Sequence, residues 1–339
     1  MSTNQRGLEK SAYQGSPSTL CIGCGHDSVT NHLVTALYQS SINPFKVAKL
    51  SGIGCSSKTP TYFLNLSHGF NSIHGRMAPV ATGAKAVHRD LLTLGISGDG
   101  DTASIGLGGF AHLIRRNIPM VYLIENNGVY GLTKGQFSAT ADEGTTMKGG
   151  DTNPYQTMDL CAMALELGCG FVARSFSGDS KQLVSLLSAA LRYDGTSVID
   201  VISPCITFAN HEGSTKSYNA VKEHNHHLQE LGFIQPQNEI TVDIPEGERQ
   251  EVVLHDGSKI LVSKLDGVTH DLSDINGALA QLRKSRQSGE ILTGLFHLDT
   301  TKKSGLDELE LSTRPIVELP ESELRPSPQT LTTALKSFR

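Results

Sequence analysis

Residues 91–110 read LLTLGISGDGDTASIGLGGF. An apolar run from Leu91 to Ile96 passes through Gly98-Asp99-Gly100 into a segment with helical spacing at 107–116. A short apolar strand, a glycine turn and a helix make the repeating unit of a parallel α/β sheet, whose strands are buried on both faces. The turn admits two readings. Gly98, Gly100 and Ala103 fit G-x-G-x-x-A, the dinucleotide fingerprint. That reading sets Asp99 against a pyrophosphate, like charge on like charge, unless a cation lies between them. The second reading supplies the cation. After 25 residues beyond Gly100 comes Asn126-Asn127, closing the next apolar run. Magnesium takes octahedral oxygen ligands and is commonly shared between protein groups and phosphate oxygens. Asp99, the amide oxygen of Asn127 and the carbonyl of Val129 can supply one face of such a site, and a diphosphate the other.

Working outward, FKVAKLSGIGC (45–55), IPMVYLIENNG (118–128) and TSVIDVISPC (196–205) read as further strands ending in polar turns. Helical spacing recurs at 28–41, 82–91, 159–168 and 181–192. The alternation predicts a doubly wound parallel sheet, whose chemistry gathers at the C-terminal ends of the strands. The expected organisation is one domain over 1–235 and a small C-terminal α+β extension over 236–339. In the extension EVVLHDGSKILVSKL reads as a hairpin turning at Asp256-Gly257, and DINGALAQLRKSR as a helix. From about Thr300 the chain carries prolines, charges and few large apolar groups, a texture suited to lying against a partner or remaining mobile.

The 339 residues carry a net charge of −5, which points to neither nucleic acid nor an anionic membrane as partner. No apolar run approaches a membrane span and the opening residues lack the apolar centre of a signal peptide, so a cytoplasmic location is expected. In that compartment six cysteines read as ligands or plain thiols rather than disulfides. Cys161 and Cys169 fall in or beside a helical pattern and read as buried thiols. Cys21 and Cys24 form a Cys-x-x-Cys turn, and Cys55 and Cys205 each end a strand. Four thiolates from dispersed loops suit a [4Fe–4S] cluster or a structural zinc. A redox disulfide at Cys21–Cys24 is the third option, without thioredoxin context around it.

Strand-GDG followed at this interval by NN is the signature of thiamine diphosphate enzymes. Together CIGCGH, GIGCSSK, SIHGR, GDGD, NNGVYGLTKGQ and SPCITF, in this order over residues 15–235, resemble the β subunit of the 2-oxoacid:ferredoxin oxidoreductases. The resemblance implies thiamine diphosphate, Mg2+ and one [4Fe–4S] cluster. It carries the cluster ligands onto Cys21, Cys24, Cys55 and Cys205, and the magnesium ligands onto Asp99, Asn127 and Val129. Cofactor contacts fall on Ile53, Gly54, Cys55, Ser56, His74, Gly100, Asp101, Gly131 and Leu132. Lys134 is the implied partner of the 2-oxoacid carboxylate, and His74 the implied donor to a diphosphate oxygen.

The implied activity is coenzyme A-dependent oxidative decarboxylation of a 2-oxoacid, with electrons passing singly through the cluster to ferredoxin. The expected substrate is 2-oxoglutarate, giving succinyl-CoA, in either direction; pyruvate is the alternative. An α subunit would complete the active site in an (αβ)2 assembly, supplying the glutamate that thiamine enzymes need, which no motif here matches. Two rivals stand outside that reading: a nicotinamide oxidoreductase with structural zinc, and a non-catalytic iron–sulfur subunit.

Overall fold

The computed structural model describes residues 3–133, 135–146, 151–206, 238–255, 257–307, 309 and 311–338. The chain opens with helix α1 (Gly25–Gln39), then strand β1 (Val47–Ser51), strand β2 (His68–Asn71) and helix α2 (Met77–Val87). Strand β3 (Leu92–Gly98), helix α3 (Leu107–Arg115) and strand β4 (Met120–Asn126) follow, with a two-residue ladder between β5 (Val129–Tyr130) and β6 (Gln136–Phe137). Helix α4 (Leu160–Glu166), strand β7 (Phe171–Phe176), helix α5 (Ser180–Ala190) and strand β8 (Thr196–Ile202) come next. After the segment outside the described residues come β9 (Arg249–Val253), β10 (Lys259–Lys264), α6 (Ile275–Gln287), β11 (Glu290–Leu298), α7 (Glu321–Leu324) and α8 (Pro328–Lys336).

All the longer strands join one nine-stranded sheet in the order β2-β1-β3-β4-β8-β7-β11-β10-β9. From β2 to β7 the pairings are parallel, as the apolar runs predict. Every residue of β4 and β8, at the centre, is buried. Side chains alternate between two cores: Tyr122 and Ile124 face α2, α3, α4 and α6, while Val121 and Leu123 face α1 and α5. The sheet is thus covered on both sides.

The C-terminal stretch extends this sheet rather than forming a layer of its own. β11 pairs antiparallel with β7, and β10 and β9 continue outward as the expected hairpin, with Gly257 at φ +80°. The expected boundary at 235/236 and Asp256 of the turn lie outside the described residues. Helix α2 begins at Met77, earlier than the spacing at 82–91 indicates, and stops before an extended His88. Pro79 is accommodated because it falls in the first turn, where its missing N–H has no intrahelical partner. Cys161 and Cys169 are buried, their thiols donating to backbone carbonyls of Ala173 and of Phe171 and Thr196.

Two features aim the fold at one place. From β1 the chain turns outward to β2, while from β3 it proceeds the other way to β4. Between β1 and β3 lies the resulting switch point, where α/β sheets open a crevice for ligands. Lys49 of β1 is buried and donates to the carbonyls of Pro60, Phe63 and Leu64 at 2.6, 2.6 and 3.1 Å. That ammonium clamps the loop after β1 against the sheet.

Candidate cofactor and metal site

The crevice at the switch point is lined by the ends of β1, β3 and β4 and by the loop after β5, including Ile53–Ser56, His74, Gly98–Asp101, Asn127, Val129 and Gly131–Thr133. All the cofactor and magnesium positions expected from the sequence fall along this lining; Gly98 and Thr133 are additional. Lys134 lies outside the described residues, so its placement is not part of the site as described.

Asp99 is buried, and a buried carboxylate needs donors. Its Oδ2 accepts from Thr140 Oγ1 at 2.6 Å, from Ser138 Oγ, and from Gly128 N at 3.1 Å. Oδ1 accepts from Asn127 N at 3.3 Å. Asn127 Oδ1 takes the Val129 N–H at 3.1 Å, so two of the expected magnesium ligands share the turn after β4 and the third, Asp99, is bonded to that turn from the end of β3. The sequence reading missed Ser138 and Thr140; their signal is a pair of hydroxyls two residues apart, just beyond β6. Thr140 Oγ1 also lies 3.0 Å from Asn126 Oδ1, and Asn126 donates to Asp200.

After β3 the chain forms a π-helical turn over Gly100–Ile105 before α3 begins. A dinucleotide fingerprint requires the α-helix to open at the glycines, so this turn argues against that reading. The glycines serve close packing. A Cβ on Gly98 would lie 2.9 Å from Ser56 Oγ, and one on Gly100 would lie 2.5 Å from Tyr130. Gly54 adopts φ +138°, which leaves the loop backbone open toward the crevice.

Cys55 lines this crevice in the loop after β1, Cys24 is the N-cap residue of α1 with Cys21 three residues before it, and Cys205 follows the end of β8. Burial pushes the Cys24 thiol well above its ordinary value, and Cys205, Glu125 and Cys21 push it further. Burial likewise raises Cys55, opposed by Lys58 and reinforced by Cys21 and Glu125. Among the described residues, no group of three or more His, Cys, Asp or Glu side chains is gathered closely enough to hold a single metal ion.

Two buried latches join the cysteine loops to the crevice, and neither was read from the sequence. His26, two residues after Cys24, pairs through Nδ1 with Ser203 Oγ at 2.5 Å, two residues before Cys205. Burial holds this imidazole neutral, its pKa down to about 4. Thr59 Oγ1 lies 3.1 Å from both oxygens of Glu125, tying the Cys55 loop to β4. Burial drives the Glu125 carboxyl well above its ordinary value, opposed by the Thr59 hydroxyl, and the side chain forms part of the crevice wall.

Comparisons with known proteins bear on the same part of the chain. The family model of the thiamine pyrophosphate enzyme C-terminal TPP binding domain matches residues 52–201, from the end of β1 to β8. The 2-oxoglutarate synthase subunit KorB of Methanocaldococcus jannaschii is 38% identical over 196 residues, which cover 57% of this chain and 71% of that subunit. The chain belongs to the β subunits of the 2-oxoacid:ferredoxin oxidoreductases. A further β subunit of this family, from Sulfolobus, is 39% identical over 189 residues, covering 56% of this chain and 62% of the relative, under two-thirds of its length. In structure the β-subunit fold matches a 2-oxoglutarate:ferredoxin oxidoreductase from Magnetococcus marinus, solved with 2-oxoglutarate, coenzyme A and succinyl-CoA bound. The TM-score is 0.70 at 29% identity over 89% of each chain.

Proposed function

We propose that this chain is the cofactor-binding half of a thiamine diphosphate-dependent 2-oxoacid:ferredoxin oxidoreductase. The observation that carries the reading is the buried Asp99 at the end of β3 bonded to the Asn127–Val129 turn after β4, lining the same crevice as the Cys55 loop, within the stretch that matches a TPP-binding domain. Asp99, the Asn127 amide and the Val129 carbonyl would hold Mg2+, a hard cation suited to an all-oxygen set. Loop 53–56, with Gly54 open to the crevice, would cradle the diphosphate. Cys21, Cys24, Cys55 and Cys205 would hold a [4Fe–4S] cluster, and Lys134 would pair with the substrate carboxylate.

When bound, thiamine diphosphate supplies the electron sink for loss of carbon dioxide from a 2-oxoacid. The chain's own part is to orient and to exclude water. Asp99 is held by Ser138 and Thr140, while Glu125 and a neutral His26 line the crevice beside Cys55. The glutamate that activates the cofactor would come from a partner. Ile53, Ile73, Ile105 and Leu132 are 38%, 73%, 44% and 52% exposed around the crevice, an apolar collar that a second protein would cover. The substrate we favour is 2-oxoglutarate, which two of the similar proteins name.

Anaerobic co-purification with the adjacent α subunit tests this. The expected product is brown, absorbs near 400 nm, contains thiamine diphosphate and reduces viologen with 2-oxoglutarate and coenzyme A. A panel of 2-oxoacids tests the substrate. A colourless heteromer free of the vitamin would overturn the assignment.

A further inference from the structure

The second aspartate of GDGD is expected to touch the cofactor, yet its carboxylate is turned into the protein. Asp101 is buried, and Oδ1 accepts from Ile53 N at 3.2 Å, Gly75 N at 2.7 Å and His74 Nδ1 at 2.5 Å. Oδ2 accepts from Ser97 Oγ at 2.7 Å, and Ser97 in turn accepts from Thr102 Oγ1 at 2.9 Å. Ile53 follows β1, Gly75 follows β2, and Asp101 follows β3, so one carboxylate ties together three strand-end loops. The backbone is cut to fit it: a Cβ on Gly52 would lie 1.9 Å from Asp101 Oδ2.

A carboxylate can only accept, so the proton between Asp101 and His74 belongs to Nδ1. In a neutral imidazole the other nitrogen then carries a lone pair. The ring is fixed from its other side by Tyr130, which meets it edge-on at 5.9 Å and is anchored by its hydroxyl to Gly100 O at 3.0 Å. Among the described residues no hydrogen bond to His74 Nε2 is present, and His74 lines the crevice.

We infer that Asp101 is a positioning residue that holds His74 in its Nδ1–H tautomer and presents Nε2 to the crevice as a hydrogen-bond acceptor. This reverses the donor role expected for His74 from the sequence. A neutral His74 does not donate to a diphosphate oxygen; it accepts from an N–H or O–H of the bound cofactor or substrate. The ligand part of this inference rests on the function proposed above, whereas the tautomer does not.

The test is a long-range 1H–15N correlation spectrum of the full chain, cofactor-free, at neutral pH, with histidines labelled. The His74 signals are those lost in His74→Gln. The expected spectrum shows a protonated Nδ1 and an unprotonated Nε2; an Nε2–H ring or an imidazolium overturns the inference. Asp101→Ala should release the tautomer preference, and Asp101→Asn, which keeps an acceptor oxygen, should restore it. If the alanine variant does not fold, the wild-type spectrum decides alone. In the heteromer, calorimetric titration with thiamine diphosphate and Mg2+ should show affinity about tenfold weaker in Asp101→Ala, and near wild type in Asp101→Asn. Equal losses in both variants would mean that charge, not orientation, matters. Failure of the wild type to bind the cofactor would sink the proposed function while leaving the tautomer standing.

Discussion

At Asp99 a carboxylate survives burial because two hydroxyls and two backbone amides converge on it. Those groups also orient it, and outer-shell partners of a metal ligand typically matter by 10–100-fold in affinity. Thr140→Val keeps the shape and removes one donor. It should weaken Mn2+ binding, followed by electron paramagnetic resonance with thiamine diphosphate present, by about 10–100-fold. Lys49 makes a different residue-scale case. Lys49→Met leaves three carbonyls without their donor and should cost about 3 kcal/mol in urea unfolding. Burial pulls the Lys49 pKa from 10.5 to about 8. Between those values the unfolded chain holds a proton that the folded chain has released, so stability from this group rises with pH across that window. The stability difference between wild type and Lys49→Met should therefore change from pH 8 to pH 10, in favour of wild type.

Helix α4 shows how one side chain serves an element and its neighbours together. Asp159 caps the helix by accepting from the Cys161 and Ala162 amides at 3.0 Å, and it also pairs with Arg174 of β7 at 2.6 Å. Arg174 reaches in turn to Asp200 of β8 at 2.9 Å, within a buried network. Burial pushes the Asp159 pKa up, but the Arg174 guanidinium and the two amides outweigh it, leaving the carboxyl below its ordinary 3.8. A depressed carboxyl contributes stability that is complete above the unfolded value and fades as pH falls through the folded one. Asp159→Ala should lose about 3 kcal/mol at pH 7, from the cap and the stranded arginine together. Its thermal midpoint should also fall less steeply than that of wild type below pH 4.

For the whole molecule, the exposed collar and the absence of a matched activating glutamate lead to one expectation. The isolated chain should bind cofactor yet show no turnover of any 2-oxoacid with viologen until the α subunit is added; turnover by the chain alone would refute the partnership. The C-terminal arm gives another. Every described residue from Glu321 to Phe338 is exposed, including Leu331 and Leu335 of helix α8 and Phe338 just after it. Ending the chain at Pro320 should leave the thermal midpoint within about 2 °C of wild type, since nothing buried is lost. Among the described residues, no helix is long and apolar enough to cross a membrane.

The parallel sheet, the GDG and NN turns and the placing of Cys55 and Cys205 after strands were legible because each is local. A buried strand followed by a turn reads as a run of neighbouring residues, and the spacing of one turn from the next follows from a crossover helix. The partners were not legible. Thr140 lies 41 residues from Asp99, Asp101 lies 27 from His74, and Ser203 lies 177 from His26. Nor did the sequence of β11 reveal that it would join β7 and lengthen the sheet. A motif states which atoms face a ligand, whereas only packing decides which distant donors make burial of those atoms bearable. The sequence determined that Asp101 follows β3 beside the crevice, and only the folded chain decided that its carboxylate would accept from Ile53, His74 and Gly75 as well as from nearby Ser97, because the first three donors come from loops that folding alone brings together.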